Sequence, residues 1–261
     1  MNKVLKILMI LTLLGLFTLC LTIPWNPQLK DMTGVRNVYV KNVLAGYSDK
    51  LYSYSYDICG YSVESKPIYY CSIGEGTETI LIIGGLHGNE PKGTYACLEL
   101  LEKLNSSDLI QKYHFIIIPL CNPDGAERFM RFNSKGADLN RDFYTLSQPE
   151  TKSIWKIFSQ NPPILLVDVH ESSGTQPLII YANNTKSRLM AEFFNSETGI
   201  LVALAANVGQ SANLAEKFDI YGAIIELPGY SHEYGNGTVI LWQFIQSWDR
   251  YQKVTLLLTD S

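Results

Sequence analysis

Two histidines and a glutamate have the residue types and the spacing of a metal site. His87 and Glu90 stand three residues apart in Gly-Gly-Leu-His-Gly-Asn-Glu, and His170 ends the stretch Leu-Val-Asp-Val-His. Two histidines and one carboxylate suit Zn²⁺ and leave a fourth coordination position for water, as catalytic zinc sites do. The alternative interpretation is that both are core histidines and that Glu90 only complements a helix N-terminus.

The position of the two histidines in the chain favours the metal interpretation. Each follows a continuous apolar run, residues 79–83 for His87 and residues 164–169 for His170, of the kind found in strands covered on both faces. In open α/β sheets the ligand crevice lies beyond the carboxyl ends of the strands. We therefore expect His87, Glu90 and His170 to project into one cleft.

The elements around these runs predict the fold class. Buried strands alternate with amphipathic helices, which is typical of a three-layer α/β/α domain with a mixed, mostly parallel central sheet. Short β-rich segments come first, at residues 38–43, 51–56 and 67–72. Further strands are predicted at residues 114–120, 178–181 and 223–226, and helices at residues 91–104, 148–159, 186–195, 203–218 and 239–251.

The N-terminus differs from the rest of the chain. Lys3 and Lys6 precede an uncharged apolar stretch, residues 7–23, whose length lies between that of a signal peptide and that of a membrane-spanning helix. We expect residues 1–25 to be a signal peptide or, preferably, a membrane anchor, residues 26–37 a linker, and residues 38–261 one catalytic domain. The domain would then work outside the cytoplasmic membrane, either anchored or secreted.

Composition and charge exclude some classes. With 46% hydrophobic and 18% charged residues the chain can bury a full core, and its net charge of −4 gives no reason to expect nucleic acid. There is no Cys-x-x-Cys pair for a cysteine zinc site. Cys59 and Cys71 lie in neighbouring strand-like segments, and whether they form a disulfide stays open, as does the oligomeric state.

The motifs together resemble the zinc carboxypeptidase family, the carboxypeptidase A-like metallopeptidases. In that family His-x-x-Glu and a distant strand-end histidine bind the metal, here His87, Glu90 and His170. Residues 60–68 resemble the stretch before the first ligand, and Asn-Pro-Asp-Gly at residues 122–125 resembles a later loop. The resemblance runs from about residue 62 to residue 227 and implies one Zn²⁺ ion.

The segment Arg-Phe-Asn-Ser-Lys-Gly-Ala-Asp-Leu-Asn-Arg, which begins at Arg131, matches three family roles. The resemblance implies that Arg131 polarises the scissile carbonyl and that Asp138 hydrogen-bonds the first histidine ligand. It also implies that Asn140 and Arg141 hold the free carboxylate of the substrate, for which the planar guanidinium fork is well suited.

The end of the strand at residues 223–226 matches the position of the family's catalytic glutamate. The resemblance implies that Glu226 is the general base and acid that works with a metal-activated water. Glu171 is a competing candidate, but strand alternation predicts that it points away from its neighbour His170. We expect His114 and His232 to be structural or surface histidines.

The expected function is therefore a zinc-dependent metallo-carboxypeptidase that cleaves an amide bond beside a free carboxylate. An export segment favours cell-wall or other extracytoplasmic peptides. Short family members include cell-wall peptidases and deacylases of N-acyl amino acids, so an acyl-amino-acid substrate is one alternative and a non-catalytic peptide-binding protein is another. The family's specificity tyrosine has no counterpart in residues 201–209, which leaves the preferred terminal residue open.

Overall fold

The computed structural model describes residues 56–229 and 235–259. The predicted N-terminal segment, the linker and the β-rich segment at residues 38–43 lie outside this part, as do His232 and all of the segment at residues 51–56 except Tyr56. In the described part of the chain, no helix has both the length and the apolar character needed to cross a membrane. The predicted domain boundaries stay predictions.

Eight strands of the described residues form one mixed, mostly parallel sheet, and the predicted sheet type is confirmed. Four of its pairings are parallel (β3 with β4, β3 with β5, β5 with β8 and β6 with β7), while β1–β2, β2–β4 and β6–β8 are antiparallel. The order across the sheet is β1-β2-β4-β3-β5-β8-β6-β7. The strands are β1 Tyr56–Tyr61, β2 Pro67–Ile73, β3 Glu78–Gly84, β4 Tyr113–Ile118, β5 Leu165–Ser172, β6 Leu178–Tyr181, β7 Leu201–Leu204 and β8 Tyr221–Pro228.

Helices cover both faces of the sheet, which gives the three layers. The helices are α1 Pro91–Asn105, α2 Leu109–Lys112, α3 Pro123–Arg128, α4 Pro149–Gln160, α5 Thr185–Thr198, α6 Ala212–Lys217 and α7 Gly235–Thr259, with a 3₁₀ turn at Leu139–Arg141. Helices α1, α5 and α7 pack together on one face, while α4 and α6 contribute Ile154, Ile157 and Leu214 to the core on the other. Pro91 begins α1 at a position where its missing N–H is not needed.

The central strands are apolar because both of their faces are buried. Ile80 to Ile83 of β3 and Leu165 to Val167 of β5 are all at most 1% exposed. At the carboxyl end of each strand the apolar run stops and polar residues begin. This edge of the sheet therefore carries the side chains that could do chemistry.

One predicted element is wrong. Residues 203–218 were expected to be helical, but the structure has the edge strand β7 (Leu201–Leu204), then a loop, and only a short helix, α6. The apolar stretch pairs with β6 instead, and Gly209 breaks the helical pattern with a positive φ of 83°. A Cβ on Gly209 would lie 2.1 Å from the Arg141 carbonyl oxygen, so the loop packs against Arg141.

The cysteines in the described part of the chain are free thiols. Cys59, Cys71, Cys97 and Cys121 are all buried, and no disulfide joins Cys59 to Cys71. Cys59 donates to the carbonyl of Ile68 and lies beside a register shift between β1 and β2. Burial raises the pKa of the Cys59 and Cys71 thiols to about 12, so both are held as unreactive thiols.

Candidate metal centre

The three predicted ligands converge, because β3 and β5 are parallel neighbours that end at the same edge. Ile83 pairs with Asp168 and Gly84 with Val169, so the loop after β3 lies beside the end of β5. A turn between His87 and Glu90, closed by the Glu90 N–H and the His87 carbonyl at 3.2 Å, brings Glu90 to the start of α1.

The facing atoms of the three side chains are Nδ1 of each histidine and both carboxylate oxygens of Glu90. His87 Nδ1 lies 2.7 Å from Glu90 Oε1, and His170 Nδ1 lies 2.7 Å from Glu90 Oε2. The two Nδ1 atoms are 3.1 Å apart, and one ligand atom from each residue lies within 4.8 Å of the others. All three residues are at least nine-tenths buried.

Each histidine presents its other nitrogen to a carboxylate. His87 Nε2 lies 3.0 Å from Asp138 Oδ1, and His170 Nε2 lies 2.8 Å from Asp168 Oδ2. An imidazole that donates through Nε2 keeps an unprotonated Nδ1, which is the form that binds a metal ion. The donor set of two nitrogens and a carboxylate therefore fits a zinc ion.

The charge of the centre also favours a cation. Burial raises the pKa of Glu90, but the charges and hydrogen bonds of His170 and His87 outweigh it and hold that pKa well below its usual range. Burial lowers the pKa of His170, but the carboxylates of Asp168 and Glu90 raise it by more, so the pKa of His170 lies well above its usual value. Three carboxylates around two imidazoles thus leave a surplus of negative charge.

Arg131 and Asp138 lie together at the edge of the centre. Arg131 donates to Asp138 Oδ2 through Nε at 3.0 Å, and its Nη1 is 3.5 Å from Glu90 Oε1. Burial raises the pKa of Asp138, but the hydrogen bonds and charges of His87 and Arg131 lower it by more. The pKa of Asp138 therefore lies well below its usual range. Asp138 thus connects the guanidinium to the first histidine.

Asn140 and Arg141 occupy one wall of the cleft but have different surroundings. Arg141 is exposed, and its Nη1 donates to the Asn140 carbonyl at 2.7 Å. Asn140 is buried, and its Oδ1 accepts from the Ser211 N–H at 2.9 Å while Nδ2 lies 3.2 Å from His170 Nε2. Since His170 Nε2 donates to Asp168 when Nδ1 is unprotonated, the Asn140 amide then has no acceptor at His170, and Asn140 is one of the residues that line the cleft.

Besides Glu90, two further glutamates line the same cleft. Glu226 of β8 pairs in register with His170, and burial raises the pKa of its carboxyl group. Glu171, which strand alternation predicts to point away from its neighbour His170, lines the cleft as well. Glu171 accepts from the Lys92 N–H at 3.1 Å, and burial raises its pKa to about 7 although Lys92 opposes the rise.

The cleft has a volume of about 830 Å³, which is enough for a short peptide. Most of the residues that line it are polar or charged, and Leu178 and Ile180 of β6 add an apolar patch. The lining residues that bear on substrate binding are Arg131, Asn140, Arg141, Leu178, Ile180, Asn207, Gln210 and Glu226.

The histidine expected to be structural lies elsewhere. His114 Nε2 is 2.6 Å from Ser72 Oγ and its Nδ1 is 3.5 Å from Thr79 Oγ1, so its contacts are hydroxyl groups on neighbouring strands. Sequence reasoning overlooked Asp168 and Ser211. Asp168 did carry a signal, because a carboxylate two residues before a candidate ligand in an apolar strand shares that ligand's face.

The fold and the donor set together define a three-layer α/β protein with a candidate metal centre at the open edge of the sheet, where three side chains have the donor types of a catalytic zinc site. The chain belongs to the zinc carboxypeptidase family, whose sequence profile matches residues 39–238.

Individual relatives agree with this assignment. A probable carboxypeptidase 2 of Arthroderma benhamiae is 35% identical over 109 residues, which are 38% of this chain and 21% of that protein. A carboxypeptidase B of Helicoverpa zea is 34% identical over 109 residues, 31% of this chain and 25% of that protein. The match thus spans about a fifth to a quarter of the length of these relatives.

Solved structures share the fold. A metallo-carboxypeptidase from Burkholderia cenocepacia superposes with a TM-score of 0.69 at 17% identity, covering 78% of this chain and 69% of that one. The murein-tripeptide amidase of Escherichia coli O157 has a TM-score of 0.57 at 17% identity, covering 74% of this chain and 91% of that one.

Proposed function

We propose that the protein is a zinc-dependent metallo-carboxypeptidase, with one Zn²⁺ held by His87, Glu90 and His170. The observation that carries the proposal is that one cleft brings Arg131, Arg141 and Glu226 together beside the ligand set. A cation site, a guanidinium for a free carboxylate and a buried carboxylate for proton transfer are the three requirements of hydrolysis at a chain terminus.

The substrate would be held at its free carboxylate. Arg141 is exposed to the cleft, and its guanidinium can form a bidentate pair with a carboxylate. The Asn140 amide hydrogens would add a second contact. The amide bond next to that terminus would then lie against the metal ligands and Arg131.

The chemical roles follow from charge and burial. Bound Zn²⁺ would act as a Lewis acid that polarises the scissile carbonyl and acidifies a water molecule. Glu226 would take the proton from the attacking water and deliver it to the leaving amine. Arg131, oriented by Asp138, would stabilise the negative charge that develops on the carbonyl oxygen.

Cell-wall or other extracytoplasmic peptides are the proposed substrates, and the apolar N-terminal stretch would place the domain outside the membrane as an anchored or secreted protein. The shared fold with a murein-tripeptide amidase supports this class. The alternative substrate is an N-acyl amino acid, which also carries a free carboxylate next to an amide. Incubating the zinc-loaded protein with murein peptides, short peptides and acyl-amino acids separates the two, since turnover of acyl-amino acids alone contradicts the peptidase.

The experiment that tests the mechanism compares Glu226→Gln with wild type. Loss of a general base costs about 10²- to 10⁴-fold in kcat. Glu102→Gln, on an exposed position of α1, is the matched control and should keep wild-type activity. Undiminished hydrolysis by Glu226→Gln would show that Glu226 takes no part in the mechanism. Hydrolysis that continues in the presence of a zinc chelator would show that the reaction needs no metal. A wild type that binds peptides without cleaving any of them would be the non-catalytic binder.

A second test addresses the carboxylate. Arg141→Met should raise KM for peptides with a free C-terminus and leave the already poor cleavage of amidated peptides unchanged. Equal KM values for wild type and Arg141→Met on free peptides would show that the terminus binds elsewhere.

A further inference from the structure

Asp168 is the most deeply buried carboxylate near the metal centre. It lies in β5 two residues before His170, is 0% exposed, and holds His170 Nε2 at 2.8 Å through Oδ2. The same oxygen accepts from Ser211 Oγ at 2.5 Å. Asp168 Oδ1 has no hydrogen-bond partner among the described residues.

Burial of this carboxylate needs a physical reason. No lysine or arginine in the described part of the chain forms an ion pair with Asp168, and His170 is its ion-pair partner. A buried carboxylate without a cation is strongly unfavourable. A cation bound at His170 Nδ1 would supply positive charge through the imidazole ring.

Ser211 connects this pair to the substrate side of the cleft. Its hydroxyl donates to Asp168, while its backbone N–H donates to Asn140 Oδ1 at 2.9 Å. Ser211 is itself 0% exposed. One residue at the start of α6 therefore contacts both the group behind His170 and the side chain proposed to face the substrate.

We propose that Asp168 is a positioning residue for zinc, and that Ser211 is the joint that holds Asp168 and Asn140 in one network. By accepting the Nε2 proton, Asp168 fixes the His170 tautomer whose Nδ1 lone pair faces the ion. The same arrangement leaves the Asn140 amide, whose Oδ1 accepts from the Ser211 N–H, without an acceptor at His170, so that its NH₂ group is available to a ligand in the cleft that Asn140 lines. The Asn140 part rests on the proposed carboxypeptidase function, whereas the zinc part does not.

The primary test is zinc affinity, measured by competition with a chromophoric chelator on the full chain. Asp168→Asn should bind zinc about 10- to 100-fold more weakly, the usual cost of losing a carboxylate behind a histidine ligand. Ser211→Ala should lose less affinity and should also raise KM for peptides with a free C-terminus. Ser211→Thr, which restores a hydroxyl, should recover part of both losses.

Ser247→Ala is the matched control, because Ser247 is also a buried serine whose hydroxyl donates to a carboxylate, that of Glu197 at 2.5 Å in another part of the fold. It should bind zinc like wild type. Should Asp168→Asn fail to fold, Ser211→Ala carries the test alone.

A second measurement is the ¹⁵N spectrum of the zinc-loaded protein, in which His170 should show a protonated Nε2 and a metal-bound Nδ1. The opposite tautomer would overturn the proposal, as would zinc affinities of Asp168→Asn and Ser211→Ala equal to that of Ser247→Ala. Weakened zinc binding in a protein that cleaves no peptide would support the zinc part and contradict the hydrolase. Normal zinc binding by both variants in an active peptidase would contradict the zinc part and support the hydrolase.

Discussion

Asp142, which directly follows Arg141, holds the loop that carries this arginine, and its replacement by asparagine should destabilise the protein. Oδ1 accepts from Thr145 Oγ1 at 2.6 Å and from Ser147 N and Oγ at 3.0 and 2.6 Å. Oδ2 accepts from Gln148 N at 2.8 Å and from Thr151 Oγ1. All of these groups are donors or can act as donors, as an ionised carboxylate requires.

Asparagine cannot satisfy this arrangement in either orientation. Each carboxylate oxygen faces one backbone N–H, and a backbone N–H cannot turn into an acceptor as a hydroxyl can. Whichever way the introduced side-chain amide is placed, its NH₂ group faces a donor. One N–H is left without its partner in a site where Asp142 is 6% exposed, which costs roughly 1–3 kcal/mol.

The pKa of Asp142 gives an independent magnitude. Burial raises it, but hydrogen bonds from Ser147, Thr145, Thr151 and the Gln148 backbone outweigh burial and lower the pKa from 3.8 to about 2. A difference of nearly two units corresponds to about 2 kcal/mol of stability. Because the folded pKa is the lower one, this stability is present above about pH 4 and is lost as the pH falls towards 2.

The assay is urea unfolding of wild type and Asp142→Asn at pH 7 and pH 3. The difference in unfolding free energy should be about 2 kcal/mol at pH 7 and should shrink to about half at pH 3. Asp57→Asn, at an exposed position of β1, is the control and should change stability by less than about 0.5 kcal/mol. A difference that stays constant between pH 7 and pH 3 would refute the linkage, and no difference at pH 7 would refute the hydrogen-bond argument.

Three further outcomes are expected. Asp138→Asn cannot accept from both His87 and Arg131, so zinc should bind roughly 10- to 100-fold more weakly in chelator competition; wild-type affinity would contradict this. Gly93→Ala places a Cβ 2.3 Å from the Val169 carbonyl oxygen, which should push α1 away from β5. We expect the free energy of unfolding in urea to fall by about 1–3 kcal/mol and zinc to bind more weakly. Unchanged stability and unchanged zinc affinity would show that α1 can move freely. The buried cysteines should not react with a thiol reagent until the protein unfolds. The assay uses a variant in which Cys20, in the apolar stretch at residues 7–23, is replaced by serine, and rapid reaction of this native protein would count against the burial of the others.

Much of the fold was predictable, because the strands that are covered on both faces have continuous apolar runs. The runs at residues 79–83 and 164–169 correspond to β3 and β5, and the predicted helices at residues 91–104 and 148–159 correspond to α1 and α4 within one residue at each end. The helix predicted at residues 203–218 is wrong because an edge strand of four residues is too short to show a hydrophobic period. Its partner β6 supplies the hydrogen bonds that decide its conformation, and this pairing is not local in sequence.

The ligand set was predictable for a different reason. His87, Glu90 and His170 each sit where an apolar strand ends or a helix begins, and parallel strands bring such positions together. The network of residues that hydrogen-bond the ligand side chains was harder to predict, because some of its contacts depend on loops. The loop between β7 and α6 brings Ser211 next to Asp168, and no sequence pattern predicts the path of that loop.

Glu171 and Glu226 both line the cleft. Side chains alternate along a strand, so Glu171 is expected on the face opposite to its neighbour His170, whereas Glu226 pairs with His170 in register and shares its face. Their surroundings still distinguish them. Glu171 is held by the Lys92 N–H and lies 3.9 Å from Lys92 Nζ, whereas no described residue donates a hydrogen bond to Glu226. A base must accept a proton from water and release it to an amine, so the absence of a hydrogen-bond donor on Glu226 among the described residues supports the proposal that Glu226, rather than Glu171, is that base.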